Sequence, residues 1–189
     1  EAVPDAWRDI PGGRMVGWWT TLIGDLYEHV TIWEYDGMPA FEKAVQFLSK
    51  DERFAKFVAL RDPLLAGEES RFLLLASFAE RPSLPQAGNF VLHEVQHVPY
   101  KHQKSYSGVI REAIQLLKKH GLRLVGPWWT SVGDATEVTY LISYERLVER
   151  DRLSEAVLAD PESRHIRERL ASLGDRSTTR LLVPAAFAK

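Results

Sequence analysis

The chain has 189 residues, 24 basic against 26 acidic for a formal net charge of −2, and no cysteine. Its 45% hydrophobic content suits a globular core of one ordinary domain or two small fused ones. Near-neutral charge gives the whole chain no electrostatic drive toward nucleic acid or anionic lipid, and the lack of cysteine excludes disulfides, thiolate nucleophiles and cysteine-held zinc or iron–sulfur sites. No apolar run approaches the ~20 residues of a membrane-spanning helix, and Glu1-Ala2-Val3-Pro4 carries neither an initiator Met nor a signal-peptide core.

Slid over itself by 109 positions, the sequence meets itself without a gap. Arg14-Met15-Val16-Gly17 falls on Arg123-Leu124-Val125-Gly126, and Trp19, Thr21, Gly24, Asp25, Glu28 and Tyr35 fall on Trp128, Thr130, Gly133, Asp134, Glu137 and Tyr144. The same register pairs Asp51 with Asp160, Leu64 with Leu173, Arg71 with Arg180, Leu73 with Leu182 and Phe78 with Phe187. Two repeats are expected, 1–80 and 90–189. In the first of them residues 1–12 correspond to the end of a helix, and the opening strand has no counterpart. Residues 81–89, with two prolines and a glycine, read as an exposed linker.

The elements are clearest in the second repeat. Phe90 to Val98 is β-branched and aromatic enough for a strand, which Pro99 ends. Lys104 to His120 places Tyr106, Val109, Ile110, Ala113, Leu116 and Leu117 at helical spacing, with Gly121 as the stop. Leu122 to Val132 and Glu137 to Tyr144 are predicted strands around a Gly133-Asp134 turn. Leu147 to Ala159 and Pro161 to Leu173 read as helices separated at Asp160-Pro161, where Asp caps and Pro takes the first helical position. Thr178 to Val183 closes the unit as a strand.

This order is that of a ferredoxin-like α+β sandwich, whose second sheet face stays apolar and needs a cover. In a tandem chain the other repeat's sheet is the expected cover, as in a fused dimeric α+β barrel, with the first repeat truncated at its N-terminus. Neither half is then expected to fold well alone.

Met15-Val16-Gly17-Trp18-Trp19-Thr20, Ile23-Gly24-Asp25-Leu26 and Ile32-Trp33-Glu34-Tyr35 resemble the central hairpin of the NIPSNAP family, and Glu69-Ser70-Arg71 resembles its closing signature. Thr31 stands where the family often has His, Tyr140 and Ile142 occupy the matching stretch of the second repeat, and Thr178-Thr179-Arg180 replaces Glu-Ser-Arg. The resemblance implies a dimeric α+β barrel fold and no established reaction. For tandem eukaryotic members it implies mitochondrial (matrix) association with scaffold or adaptor roles and protein partners, and for a bacterial member a cytoplasmic place.

Candidate chemistry is sparse. His93-Glu94-Val95-Gln96-His97 matches the H-E-x-x-H zinc motif, which needs both histidines on one helix face. The segment reads as a strand instead, which would set the histidines about 13 Å apart at ~3.3 Å per residue, too far to share one zinc. No metal site and no cofactor are expected. Trp18, Trp19, Trp33, Trp128 and Trp129 could line a pocket for an apolar ligand, or simply fill the core, which the duplication of Trp19 as Trp128 favours. Arg71 and Arg180 could anchor an anion, or pair with a hairpin carboxylate such as Asp25 or Asp134. There is no glycine-rich phosphate loop and no G-x-S-x-G elbow, so no catalytic residue is assigned. Trp19, Trp33, Arg71, Trp128 and Arg180 remain the ligand-site candidates. The leading expectation is a non-enzymatic scaffold or accessory subunit, and the alternative is a small-molecule enzyme or sensor using the barrel interior.

Overall fold

A computed structural model of the chain describes Trp7 and residues 9–80 and 90–185. The expected linker at 81–89 and the Phe78–Phe187 pairing lie partly or wholly outside the described residues. These residues group into two units, one of Trp7, 9–20, 29–70 and 184–185, the other of 21–28 and 71–183.

In the first unit, strand β1 (Gly13–Ile23) pairs antiparallel with β2 (His29–Tyr35), Trp19 opposite Val30, with a bulge between Met15 and Gly17. Helices α1 (Met38–Leu48) and α2 (Glu52–Arg61) follow. Asp51 caps α2 by accepting from the backbone N–H groups of Arg53 and Phe54. Trp7, Trp18, Trp33, Phe54 and Phe57, all half-buried, form an aromatic cluster, with the Trp7 ring centroid 5.2 Å from that of Trp33 and 5.7 Å from that of Phe54.

In the second unit the antiparallel sheet runs β7-β4-β6-β5-β3, where β3 is Phe72–Leu75, β4 Phe90–His97, β5 Arg123–Val132, β6 Glu137–Tyr144 and β7 Arg176–Pro184. Helices α3 (Tyr100–Lys119), α4 (Leu147–Ala159) and α5 (Pro161–Leu173) complete it. From Phe90 onward the order βαββααβ is that expected from the residues. Asp160 caps α5 through the Glu162 N–H with Pro161 at its start, repeating the role of Asp51. The hydrogen bonds from Lys119 and His120 hold the Asp160 carboxyl down to about 2. Between helices and sheet, Val98, Tyr106, Val109, Ile110, Leu116, Val138 and Ile166 are buried together, each aliphatic contributing about 1.5–3 kcal/mol.

Several boundaries differ from expectation by one or two residues, as in β7, which runs Arg176–Pro184 rather than Thr178–Val183, and one differs by four. Helix α3 begins at Tyr100 rather than Lys104, directly after Pro99. Its first turn buries no residue, so the apolar periodicity that marks the helix becomes visible only at Tyr106.

Both repeats place a glycine two positions before the duplicated tryptophan. A Cβ built on Gly17 would lie 2.1 Å from ring atoms of Trp19, and one on Gly126 would lie 2.6 Å from the ring of Trp128. The bulge recurs as well, between Val125 and Trp128 in the β5–β6 pair. Each indole thus folds back over its own bulged strand, and the repeat legible in the sequence is a repeat of local structure.

Candidate functional site

The polar residues that sequence matching pairs across the repeats converge in the second unit. Arg71, just before β3, forms an ion pair with Glu137 at 2.5 Å. Arg180 on β7 forms the matching pair with Glu28 at 3.0 Å, and reaches Asp25 at 3.4 Å. Each arginine therefore follows the closing strand register of one repeat and pairs with the hairpin glutamate of the other. The expected Arg180–Asp25 contact is present, and Arg71 reaches the hairpin carboxylate of Glu137. The Asp134 carboxylate accepts hydrogen bonds from the backbone N–H and hydroxyl of Thr136 in its own hairpin, which lower its pKa.

Glycine lets these hairpins lie against the arginine stems. Gly24 and Gly133 have φ of 124° and 119°, a region open chiefly to glycine. A Cβ at Gly24 would approach Cγ of Arg180 to 3.1 Å, and one at Gly133 would approach Cγ of Arg71 to 3.5 Å. Thr21 and Thr130, matched across the repeats, are both buried, and neither Oγ1 has a hydrogen-bond partner among the described residues.

His93 sits at the centre of β4 opposite Arg180 on β7 and Leu141 on β6. It is 8% exposed, and its Nδ1 has no hydrogen-bond partner among the described residues. Burial first, then the charges of Arg180 and Arg71, push its pKa down to about 4. A general base works best with a pKa near the working pH and a group that orients it. His93 has two guanidiniums where such a base would have a carboxylate.

The H-E-x-x-H letters are divided between the two sheet faces. His93 and His97 share one face by the two-residue period of a strand, and Glu94 takes the other. His97 Nδ1 lies 2.5 Å from Asp175. Glu94 instead accepts a hydrogen bond from the Tyr140 hydroxyl, which also meets Tyr106. Burial raises the pKa of all three groups.

Of the sequence candidates, Arg71 and Arg180 both bear on His93 and are already paired with carboxylates. Trp128 and Trp19 are buried beside their bulges, and Trp33 belongs to the aromatic cluster of the first unit. Reading residues singly missed Glu28, Glu137, Thr21 and Thr130 as partners of this cluster. Their signal was present, because all four fall in the 109-residue register.

Fold and site together define an α+β protein of two ferredoxin-like repeats whose strand ends carry a duplicated Arg–Glu–Thr cluster. The NIPSNAP family model matches residues 5–80 and 95–189, and the chain belongs to the NIPSNAP family. Human Protein NipSnap homolog 2 is 26% identical over 145 residues, covering 75% of this chain and 50% of that protein. Zebrafish Protein NipSnap homolog 1 is 26% identical over 146 residues, 76% of this chain and 51% of that protein. The chain thus spans about half the length of the curated relatives it matches. Among solved structures, a NIPSNAP domain protein from Burkholderia xenovorans aligns with 53% of this chain and 98% of its own, at 20% identity and a TM-score of 0.49. A Lactobacillus acidophilus protein assigned provisionally as a monooxygenase aligns with 95% of this chain and 80% of its own, at 11% identity and a TM-score of 0.63, a likeness of fold alone.

Proposed function

We propose that this chain is a non-enzymatic interaction module, a scaffold or accessory subunit, that holds protein partners through the hairpin tip of its first repeat. The observation that carries this reading is Tyr27, which is 91% exposed at a φ of 69°. A left-handed backbone costs a residue other than glycine roughly 1–2 kcal/mol, and the exposed ring returns nothing to the fold. Strain kept where folding gains nothing points to function. Leu22, Ile23 and Leu26 are exposed beside it. The matched positions of the second hairpin are Ser131, Val132, Ala135 and Thr136, so the same turn built twice carries four large apolar or aromatic side chains in one copy and only one, Val132, in the other.

The interior chemistry supports a binding role over a reaction, since both arginines are charge-paired and His93 is a weak base. Among the described residues no helix is long and apolar enough to cross a membrane. In a eukaryotic cell the place proposed is the mitochondrial matrix, and in a bacterium the cytoplasm.

The test gives the first hairpin the polarity of the second. A tagged Leu22→Ser, Leu26→Ala, Tyr27→Asn variant, purified natively from its own cells beside the wild type, is expected to lose the partner mass that native mass spectrometry finds on the wild type. Its melting temperature should stay level or rise, because Asn tolerates the left-handed backbone better than Tyr. A variant that keeps the full assembly mass would overturn the reading.

A further inference from the structure

The space between helices and sheet is filled differently in the two repeats. In the first, Trp7, Trp33, Phe54 and Phe57 fill it with rings, Trp7 lying 5.2–5.9 Å from the other three. Shifted by 109 positions, these four become Leu116, Ile142, Ser163 and Ile166. All four line a cleft of about 400 Å³ in the second unit, between α3, α5 and the sheet. Four large rings have become a leucine, two isoleucines and a serine, and the volume they would occupy is open. That volume lies within the ~300–1,000 Å³ of small-molecule sites.

The cleft has a polar end. Glu94 from β4 and Tyr140 from β6 meet Tyr106 from α3 there. The Tyr140 hydroxyl is committed to Glu94 and to Tyr106, while an ionised carboxylate has about four lone-pair sites, of which Tyr140 uses one. Glu94, partly buried, therefore has acceptor capacity beyond the Tyr140 bond to offer a donor that enters along the apolar wall. Ser163 is 1% exposed, and its Oγ has no hydrogen-bond partner among the described residues.

We propose that this cleft binds a small, mainly apolar molecule ending in one hydrogen-bond donor, a primary amine or alcohol, with the donor at Glu94 and the body against Leu116, Ile142 and Ile166. A carboxylate of the same shape would meet Glu94 with like charge and no donor to offer. The apolar wall supplies affinity, and the single acceptor sets which end enters first.

Phenethylamine, phenethyl alcohol and phenylacetate, titrated onto the whole chain with binding followed by NMR, separate the possibilities. The amine and the alcohol are expected to saturate, with phenylacetate at least tenfold weaker. Glu94→Gln should weaken the amine at least tenfold and narrow its margin over phenylacetate. Ser163→Phe, which installs the ring that Phe54 supplies in the first repeat, should abolish binding of both ligands in a chain that still shows dispersed methyl signals. If that variant does not fold, Glu94→Gln and the shifts of the Ile142 and Ile166 methyls in the wild type carry the test. Saturation by the amine alone would assign the site to amines, and by the alcohol alone to neutral donors. No saturable binding of either, phenylacetate binding equally well, or unchanged binding in folded Ser163→Phe would each overturn the assignment.

Discussion

Trp128→Ala and Trp19→Ala are each expected to lower the free energy of unfolding by about 3–5 kcal/mol, a large share of the roughly 5–15 kcal/mol that holds a domain together. Trp128 is 6% exposed and Trp19 is 3% exposed. Both rings lie over a glycine whose missing side chain makes the room they occupy, so their loss leaves a gap that the bulged backbone can close only in part. Denaturant titration of each variant measures the loss. Stability kept within about 1 kcal/mol of wild type, together with lost binding of one small molecule, would make the ring a ligand contact instead of a packing element.

The second large effect belongs to His93 and acid. Its pKa is about 4 in the folded chain against an ordinary 6.5, because burial and the facing Arg180 and Arg71 guanidiniums oppose a further positive charge. The folded state thus holds His93 neutral where the unfolded chain would protonate it. The stability this contributes is fully present above pH 6.5, falls as pH drops from 6.5 toward 4, and is lost below that. The full span is about 3 kcal/mol at ~1.4 kcal/mol per unit.

Asp51 and Asp160, both held near 2, lose their own contributions only below about pH 3.8, so the two effects separate along the pH axis. Urea titrations from pH 7 to 4.5 should show the wild type losing stability faster than His93→Gln. Should that variant not fold, the imidazole shifts of labelled wild-type protein read the same quantity directly. A titration midpoint for His93 at 6 or above would show that burial and the two guanidiniums do not hold it neutral.

Much of this was legible in the sequence because a duplicated chain tests itself. The Trp19–Trp128 match, the Gly-Asp hairpins and the Asp160 cap each read as structure in the sequence, since a turn or cap depends on a few adjacent residues. The strand assignment of 90–98 followed from β-branching and Pro99, and it separates Glu94 from both histidines. Contacts between distant segments were less accessible. Register alone marked Glu28 and Glu137 as equivalents, but which carboxylate each arginine reaches depends on how closing strands and hairpins meet, and the residues alone pointed to Asp25 and Asp134. The cleft was hidden for another reason. An absence of volume at Leu116, Ile142, Ser163 and Ile166 becomes visible only when these positions are compared with Trp7, Trp33, Phe54 and Phe57 and found to line one space.

The interaction reading rests on the two hairpin tips behaving differently, and site-specific photo-crosslinking compares them within one protein. A photoreactive phenylalanine analogue at position 27, exposed in its own cells and irradiated, should join the chain to a discrete protein product, while the same analogue at position 136 should give none above background. Equal yields at the two positions, or no product at position 27, would contradict the account.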